Sequence, residues 1–400
     1  MNAFIVIFEQ LVPISGGGTP RIRSLINTLM NRGHEVSIAA SFNISKNNAY
    51  KIIKCKRIFV LKNVSRLDKN KIIKYMFYHP INILKVVLAA IIIRPEILIA
   101  HNSISGFAGL LAKKFTGCIV VLDITDFLFE YLSYYSVRNP LIHLLMKIGI
   151  YIENKVIKYS DKIITVSKAM KDILIQKGIE RKKIQVVYDG VNKDLFKLDK
   201  NNATKIRNEY AANKDNVIMF HGVIDPQDRP EIIVKAANNV LAKFPKTIFW
   251  IVGKGAGLSA LKNEVNYYDL KENFLFTGWI PYDKVHKFIS ACDIGLVILP
   301  RTASSDIRVT LKGFEYWACE KPIVVAELSA LKEIVTPWRT GLFYEPDNPV
   351  DLAEKINILL ENQKLGEAMG KEGRKLVEDK YDWSKLTSQF ASICENYYKA

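Results

Sequence analysis

Five short segments in the second half of this chain put glycines, a carboxylate and cations where apolar runs give way to helical patterns. Phe220-His221-Gly222-Val223 leaves a strand-like run through a glycine, and Ile251-Val252-Gly253-Lys254-Gly255-Ala256-Gly257 does the same with three. Phe276-Thr277-Gly278-Trp279-Ile280-Pro281 closes a third run, and Ala291-Cys292-Asp293-Ile294-Gly295-Leu296 opens a fourth. Leu311-Lys312-Gly313-Phe314-Glu315-Tyr316-Trp317-Ala318 begins a helix that carries a carboxylate. Glycine lets backbone N–H groups approach phosphate oxygens, helix N-termini add partial positive charge, and a carboxylate can chelate a ribose diol. One such segment is weak evidence against a plain tight turn. Five in this order read as a nucleotide site.

Groups of this kind need strands and helices to hold them, and the hydrophobic pattern supplies both. Phe4-Ile5-Val6-Ile7-Phe8 is a continuous apolar run of the kind buried on both faces of a parallel sheet. A Gly16-Gly17-Gly18 turn follows, then a helical pattern through Ile22, Leu25, Ile26 and Leu29, then a strand at Glu35–Ala39. Further strands are predicted at Ile97–Ala100, Cys118–Ile124, Lys162–Val166 and Ile184–Tyr188. A polar stretch from Lys197 onward separates these from a second alternating series that starts at Asn216. Residues 1–197 and 198–380 are therefore predicted as two doubly wound α/β domains, and 381–400 as a final helix packing back on the first. The apolar run Ile81–Ile93 is predicted as a buried helix feeding the Ile97 strand.

The 400 residues carry a net charge of +17, with 49% hydrophobic and 24% charged side chains, which excludes disordered and collagen-like classes. Residues 1–200 hold 31 Lys and Arg against 14 Asp and Glu, whereas residues 201–400 hold 26 of each. A basic half points to anionic lipid, nucleic acid or a phosphorylated substrate. Five scattered cysteines (Cys55, Cys118, Cys292, Cys319, Cys394) show no metal-ligand spacing and read as reduced core thiols of a cytoplasmic protein. The start of the chain lacks the basic region of a signal peptide. The longest apolar run, 83–93, is interrupted by Lys85 and is too short to cross ~30 Å of hydrocarbon as a helix.

Taken together, the segments resemble the retaining glycosyltransferases of family 4, with matches from Ile5 to the tail at Trp383. Gly16–Gly18 followed by Leu25 and Gly33-His34-Glu35-Val36 resembles that family's opening motif. Lys162-Ile163-Ile164-Thr165-Val166-Ser167 matches its strand ending in serine, and Val187-Tyr188-Asp189-Gly190-Val191-Asn192 its Pro-Asn-Gly-Val-Asp segment with the first two residues changed. Ala318-Cys319-Glu320-Lys321-Pro322-Ile323-Val324 is similar to its Ala-Cys-Gly-x-Pro-Val-Val segment. The resemblance implies the GT-B fold, an α/β architecture of two Rossmann-like doubly wound domains facing a central cleft. It also implies transfer of a sugar, with retention, from a UDP- or GDP-sugar held mainly by the second domain to an acceptor held by the first.

On this resemblance Glu315 binds the ribose hydroxyls, Ile280 lies where backbone groups hold the base, and Thr310 and Leu311 enter the helix whose amides face the diphosphate. Gly222 and Gly253 complete the donor loops. The chain departs from the family at two places. The Arg and Lys that usually follow the glycine read Val223 and Asp228, which leaves Arg229, Arg308 and Lys312 as the phosphate cations available. The family's earlier glutamate falls at Ile307. No Asp-x-Asp occurs, so no metal and no other cofactor is expected, the leaving group being neutralised by amides and cations. In the first half Thr125 holds the position of a family histidine; Asp126 is then the better base or orienting group, with His101 at a strand end beside it as a further candidate. Gly16, Gly17, Gly18, Thr125 and Ser167 form the candidate acceptor or phosphate loop.

The expected acceptor is a glycan or lipid-linked glycan in glycoconjugate or polysaccharide assembly. The basic half predicts a peripheral position on the inner face of the cell membrane, through Lys69, Lys71, Lys74, Tyr75, Phe77 and Tyr78 ahead of Pro80, and no nucleic acid partner. Competing readings are a catalytically altered relative acting as a nucleotide-sugar-binding or basic nucleic-acid-binding module, and a GT-B sugar-nucleotide epimerase. The epimerases lack the Gly222 and Lys312–Glu315 pattern.

Overall fold

The computed structural model describes residues 1–12, 18–62, 71–127 and 140–399. They form two compact units, Met1–Tyr188 with Trp383–Ala400, and Asp189–Asp382.

The sheet of the first unit has the order β3-β2-β1-β4-β5-β6-β7 with every paired strand parallel. Its strands are β1 (Asn2–Val12), β2 (Glu35–Phe42), β3 (Arg57–Val60), β4 (Ile97–His101), β5 (Ile119–Ile124), β6 (Lys162–Thr165) and β7 (Ile184–Val186). Phe4, Ile5, Val6 and Ile7 are fully buried, because helices cover the sheet on both faces. On one face Val86, Ala89 and Ala90 of helix Lys71–Ile93 and Ala108 and Ala112 of helix Asn102–Thr116 pack on Phe4, Val6, Leu98 and Val120. Helix Gly18–Asn31 packs against the last helix, Trp383–Lys399, where Thr28 and Thr387 hydroxyls lie 2.7 Å apart and Arg32 Nη1 lies 2.9 Å from Glu395 Oε2.

The second unit has the order β10-β9-β8-β11-β12-β13, again parallel, from β8 (Asn216–Val223), β9 (Thr247–Lys254), β10 (Phe274–Gly278), β11 (Ile294–Val297), β12 (Ile323–Ala326) and β13 (Leu342–Tyr344). In each sheet the order reverses at one point, between β1 and β4 and between β8 and β11. Ligands of such sheets bind beyond the carboxyl ends of the strands at that point.

The structure differs from the sequence reading in three respects. Strand β3 was not anticipated: Arg-Ile-Phe-Val is short, flanked by lysines, and paired only along β2 at the sheet edge. The first break falls after Tyr188, not Lys197, because the intervening segment packs into the second unit. There Val191 N–H donates to Tyr381 O at 2.9 Å, and Arg374 Nη1 donates to the carbonyls of Lys193 and Phe196. The run 81–93 is not wholly core: Leu84, Leu88 and Ile92 are 58, 51 and 64% exposed. The helix rests on the sheet by one stripe only, and its other face points to solvent.

A buried ion pair ties the first unit together. Arg21, 1% exposed, meets Asp123 Oδ1 with Nη2 at 2.9 Å and Nε at 3.0 Å, and its Nη1 donates to the carbonyls of Val187 and Tyr188 at 3.0 and 2.9 Å. Helix, central strand and the end of β7 thus converge on one guanidinium. Removing one partner of such a pair strands a buried charge. Arg21→Met should cost about 3–5 kcal/mol in urea unfolding of the first unit; a loss below about 1 kcal/mol would contradict the role given to the pair.

Candidate active site

The carboxyl ends of β8, β9 and β10 each carry a glycine with positive φ, the last residue but one of β8 and β9 and the last of β10: Gly222 at 114°, Gly253 at 146° and Gly278 at 71°. Gly253 has no alternative, since a Cβ there would stand 1.9 Å from the Gly222 carbonyl oxygen. The backbone at the end of β8 and β9 is therefore bare. Over it hangs Lys312, whose Cε would lie 3.1 Å from a Cβ at Gly222 and whose Nζ sits 5.3 Å from the Phe220 ring centroid.

Lys312 belongs to helix Leu311–Ala318, which opens beside this edge. Thr310 at its N-cap gives no side-chain cap, and its Oγ1 is buried without a hydrogen-bond partner. The N-terminal N–H groups of Leu311 and Lys312 thus lack the usual side-chain acceptor. The helix itself is firmly fixed. Tyr316 Oη donates to Met219 O at 2.6 Å and Trp317 Nε1 to Thr340 O at 2.7 Å. Gly295 leaves room for the Tyr316 ring, which a Cβ there would meet at 2.4 Å.

Glu315 lies one turn in, 5% exposed, hydrogen-bonded by the Tyr282 hydroxyl. His221 stacks on Tyr316 with centroids 4.8 Å apart and brings Nε2 to 3.1 Å from Glu315 Oε2, without the geometry of a hydrogen bond. Burial pushes the Glu315 carboxyl up to about 7 against the opposing pull of Tyr282 and Lys312. Burial, with the Lys312 charge, drives His221 down to about 3, so the imidazole is neutral. Burial also lowers Lys312, and raises the Tyr282 phenol well above its ordinary value, helped by Glu315. Glu315 is a carboxylate whose neighbours are a phenol, a neutral imidazole and one partly desolvated amine.

The other cations are engaged. Arg308 Nη1 sits 3.3 Å from Asp228 Oδ1, and Arg229, in the left-handed region at φ 50°, places Nη1 3.0 Å from Asp347 Oδ1. Ile307 is buried where the family carries a glutamate. Ile280 follows Trp279, which is half exposed with Lys254 Nζ 5.7 Å above its ring. Lys312 thus stands over the bare glycine edge, while Arg308 and Arg229 are held by carboxylates.

In the first unit His101 ends β4 opposite Asp123 of β5. Its Nδ1 lies 2.8 Å from Asp123 Oδ2, its Nε2 is 3.8 Å from Glu9 Oε1, and a Cβ on Gly18 would lie 2.1 Å from Nε2. Burial alone would lower the His101 pKa, but the Asp123 bond and charge, with Glu9, raise it. Asp123 moves down despite its burial, held by Arg21 and His101. Thr125 donates through N–H and Oγ1 to Asn102 Oδ1, both at 3.1 Å, and half-buried Asp126 follows it. Ser167 caps helix Lys168–Gln176, its Oγ accepting from Met170 N at 3.0 Å. Gly16 and Gly17 lie outside the described residues.

Residues 15–195 match Glycosyltransferase Family 4, and residues 202–376 match Glycosyl transferases group 1. The chain belongs to the family 4, group 1 glycosyltransferases. It is 28% identical over 236 residues to an uncharacterized glycosyltransferase of Methanocaldococcus jannaschii, covering 59% of this chain and 60% of that one. It is 23% identical over 207 residues to the GDP-mannose-dependent alpha-(1-6)-phosphatidylinositol monomannoside mannosyltransferase of Mycolicibacterium smegmatis, covering 51% and 54%. The chain thus spans less than two thirds of these relatives' lengths. The Anabaena HepE structure in complex with UDP-glucose superposes with a TM-score of 0.77 over 99% of this chain and 100% of that one, at 18% identity, a likeness of fold. The two parallel Rossmann-like units are those of the GT-B glycosyltransferases.

Sequence reasoning missed His221, Tyr282, Arg21 and Asp123. Only Asp123 carried a signal, as a charged residue inside an apolar strand. The Glu315 environment has a pH signature. Its folded pKa of about 7 exceeds the ordinary carboxylate value, so the group costs no stability below pH ~4.5 and destabilises increasingly as pH rises through about 7. Glu315→Gln should therefore stabilise the second unit at pH 8, by up to about 3 kcal/mol, and by little at pH 4.5. Equal melting shifts at both pH values would contradict the assignment.

Proposed function

We propose that the protein transfers a sugar from a UDP- or GDP-sugar to a lipid-linked glycan acceptor, with retention of anomeric configuration and without a metal. The observation that carries this reading is the buried, underpaired Glu315 carboxylate beside a bare glycine edge, an uncapped helix N-terminus and Lys312. A ribose diol supplies the two donors that Glu315 lacks, and the diphosphate finds amides and an amine. The named substrate of the mycobacterial relative, a phosphatidylinositol mannoside, supports a lipid-linked acceptor, and the UDP-glucose complex of HepE supports a nucleotide-sugar donor.

When the bond between the anomeric carbon and the diphosphate oxygen breaks, negative charge grows on the leaving phosphate. Lys312 and the Leu311 and Lys312 amides are the groups placed to neutralise it, with Arg308 and Arg229 behind their carboxylates. The acceptor hydroxyl oxygen bonds to the anomeric carbon and gives up its proton. The Asp123 bond and charge, with Glu9, raise the His101 pKa and favour its protonated form, and Asp126 keeps the orienting or base role. Glycan assembly on a lipid places the protein at the cytoplasmic face of a membrane.

Two measurements test this. Glu315→Ala should weaken UDP or GDP binding more than tenfold by calorimetry, charge-assisted hydrogen bonds being worth roughly 1.5–3 kcal/mol each. Undiminished nucleotide affinity would sink the donor site. Lys312→Ala should lower turnover far more than it raises the donor KM, because the charge it meets develops in the transition state; wild-type turnover, or activity abolished by EDTA and restored by a divalent ion, would contradict the proposed charge neutralisation.

A further inference from the structure

The first unit has a surface that sugar transfer does not use. Helix Asn102–Thr116 packs against Lys71–Ile93 on one side and against Pro140–Tyr159 on the other. The two flanking helices turn apolar rows outward. Leu84, Leu88 and Ile92 recur at one-turn intervals on the first, and Leu144, Ile148 and Tyr151 repeat likewise on the second, all between 46 and 64% exposed. Aliphatic side chains in such number are rarely left in water on one face.

The charges around them have a single sign. The three helices contain eight lysines and one carboxylate, Glu153, which is buried and accepts a hydrogen bond from Ser103 Oγ. Lys85, Lys147 and Lys158 are exposed beside the apolar rows. Lys155 Nζ stands 5.2 Å over Tyr151 and 5.8 Å over Tyr159, an ammonium and two phenol rings of the types that settle at a headgroup boundary.

We propose that this three-helix face is the surface on which the protein lies against an anionic bilayer. The leucine and isoleucine rows enter the boundary between headgroups and acyl chains, and the lysines meet lipid phosphates. A second copy of the chain is a poorer occupant, since a symmetric pairing sets lysine against lysine with no exposed carboxylate from these helices to answer. Single-stranded nucleic acid calls for successive aromatic platforms, and five of the six side chains in these rows are aliphatic. Among the described residues no helix is long and apolar enough to cross a membrane, so the contact is one of lying on the surface. The proposal deepens the membrane-bound acceptor reading above and moves the contact beyond Pro80; of the side chains expected there from sequence, Lys69, Lys71, Lys74, Tyr75 and Phe77 are outside the described residues.

The test is sedimentation of the full chain with vesicles of equal parts phosphatidylglycerol and phosphatidylcholine, and with phosphatidylcholine alone. The protein should pellet with the anionic vesicles and remain in solution with the neutral ones, and salt should weaken binding. Leu84→Ser with Leu88→Ser and Ile92→Ser, or Leu144→Ser with Ile148→Ser, should each weaken it about tenfold or more. These positions are exposed, so the melting temperature and the thermal shift on adding UDP or GDP should stay as in the wild type. Wild-type vesicle affinity in both variants would overturn the proposal. So would absence from the pellet at low salt, or a dimer in ultracentrifugation that the same serines dissociate. A wild-type chain that does not bind vesicles but hydrolyses a nucleotide-sugar would reject this surface and leave the transferase reading standing. Vesicle binding without any nucleotide response would do the reverse.

Discussion

A carboxylate in an apolar sheet layer has to be answered by a cation, a hydrogen bond or a proton, and the two units answer it differently. Asp123 in the first is held by Arg21 and His101 at 2.8–3.0 Å, so it stays ionised below the usual carboxylate range. Glu315 in the second meets a phenol, a neutral histidine and a lysine that burial has weakened, and is held up near 7. The first arrangement is complete in itself and serves cohesion. The second has hydrogen-bonding capacity to spare, and spare capacity in a buried group is where a ligand gains most.

The rest of the second unit keeps that carboxylate underpaired. Gly253 lets β9 run close against Gly222, which clears the edge of side chains, and Gly295 makes room for Tyr316, whose hydroxyl pins helix Leu311–Ala318 to β8. Thr310 leaves the helix N-terminus without a side-chain cap. Asp228 and Asp347 draw Arg308 and Arg229 aside, so that neither guanidinium quenches Glu315. An underpaired buried carboxylate lowers stability locally, which is characteristic of sites shaped for a partner.

Much of this was legible in the sequence, and the remainder was hidden for definable reasons. Glycine after an apolar run signals a backbone that must turn or be approached, so Gly222, Gly253 and the helix carrying Lys312 and Glu315 could be bracketed in advance, along with nearly every strand. Pairings across long separations leave no such mark. Nothing local to Arg21 says that it will meet Asp123, 102 residues away, nor does Tyr282 announce Glu315. The lysine-flanked edge strand β3 had too few residues to show a period. The run 81–93 looked like core because composition cannot tell a buried helix from one half of which faces outward; only the exposure of Leu84, Leu88 and Ile92 reveals the difference.

The central claim is that Glu315 is raised in the free protein and becomes an ionised acceptor when a nucleotide arrives. Carbon-13 NMR of labelled glutamate, with Glu315→Gln to assign the resonance, reads this directly. The carboxyl should titrate near 7 in the free protein and well below that with UDP or GDP bound, because hydrogen bonds donated by the ribose hydroxyls favour the ionised form. A carboxyl that titrates near 4.5 in both states, or one unmoved by nucleotide, would contradict it.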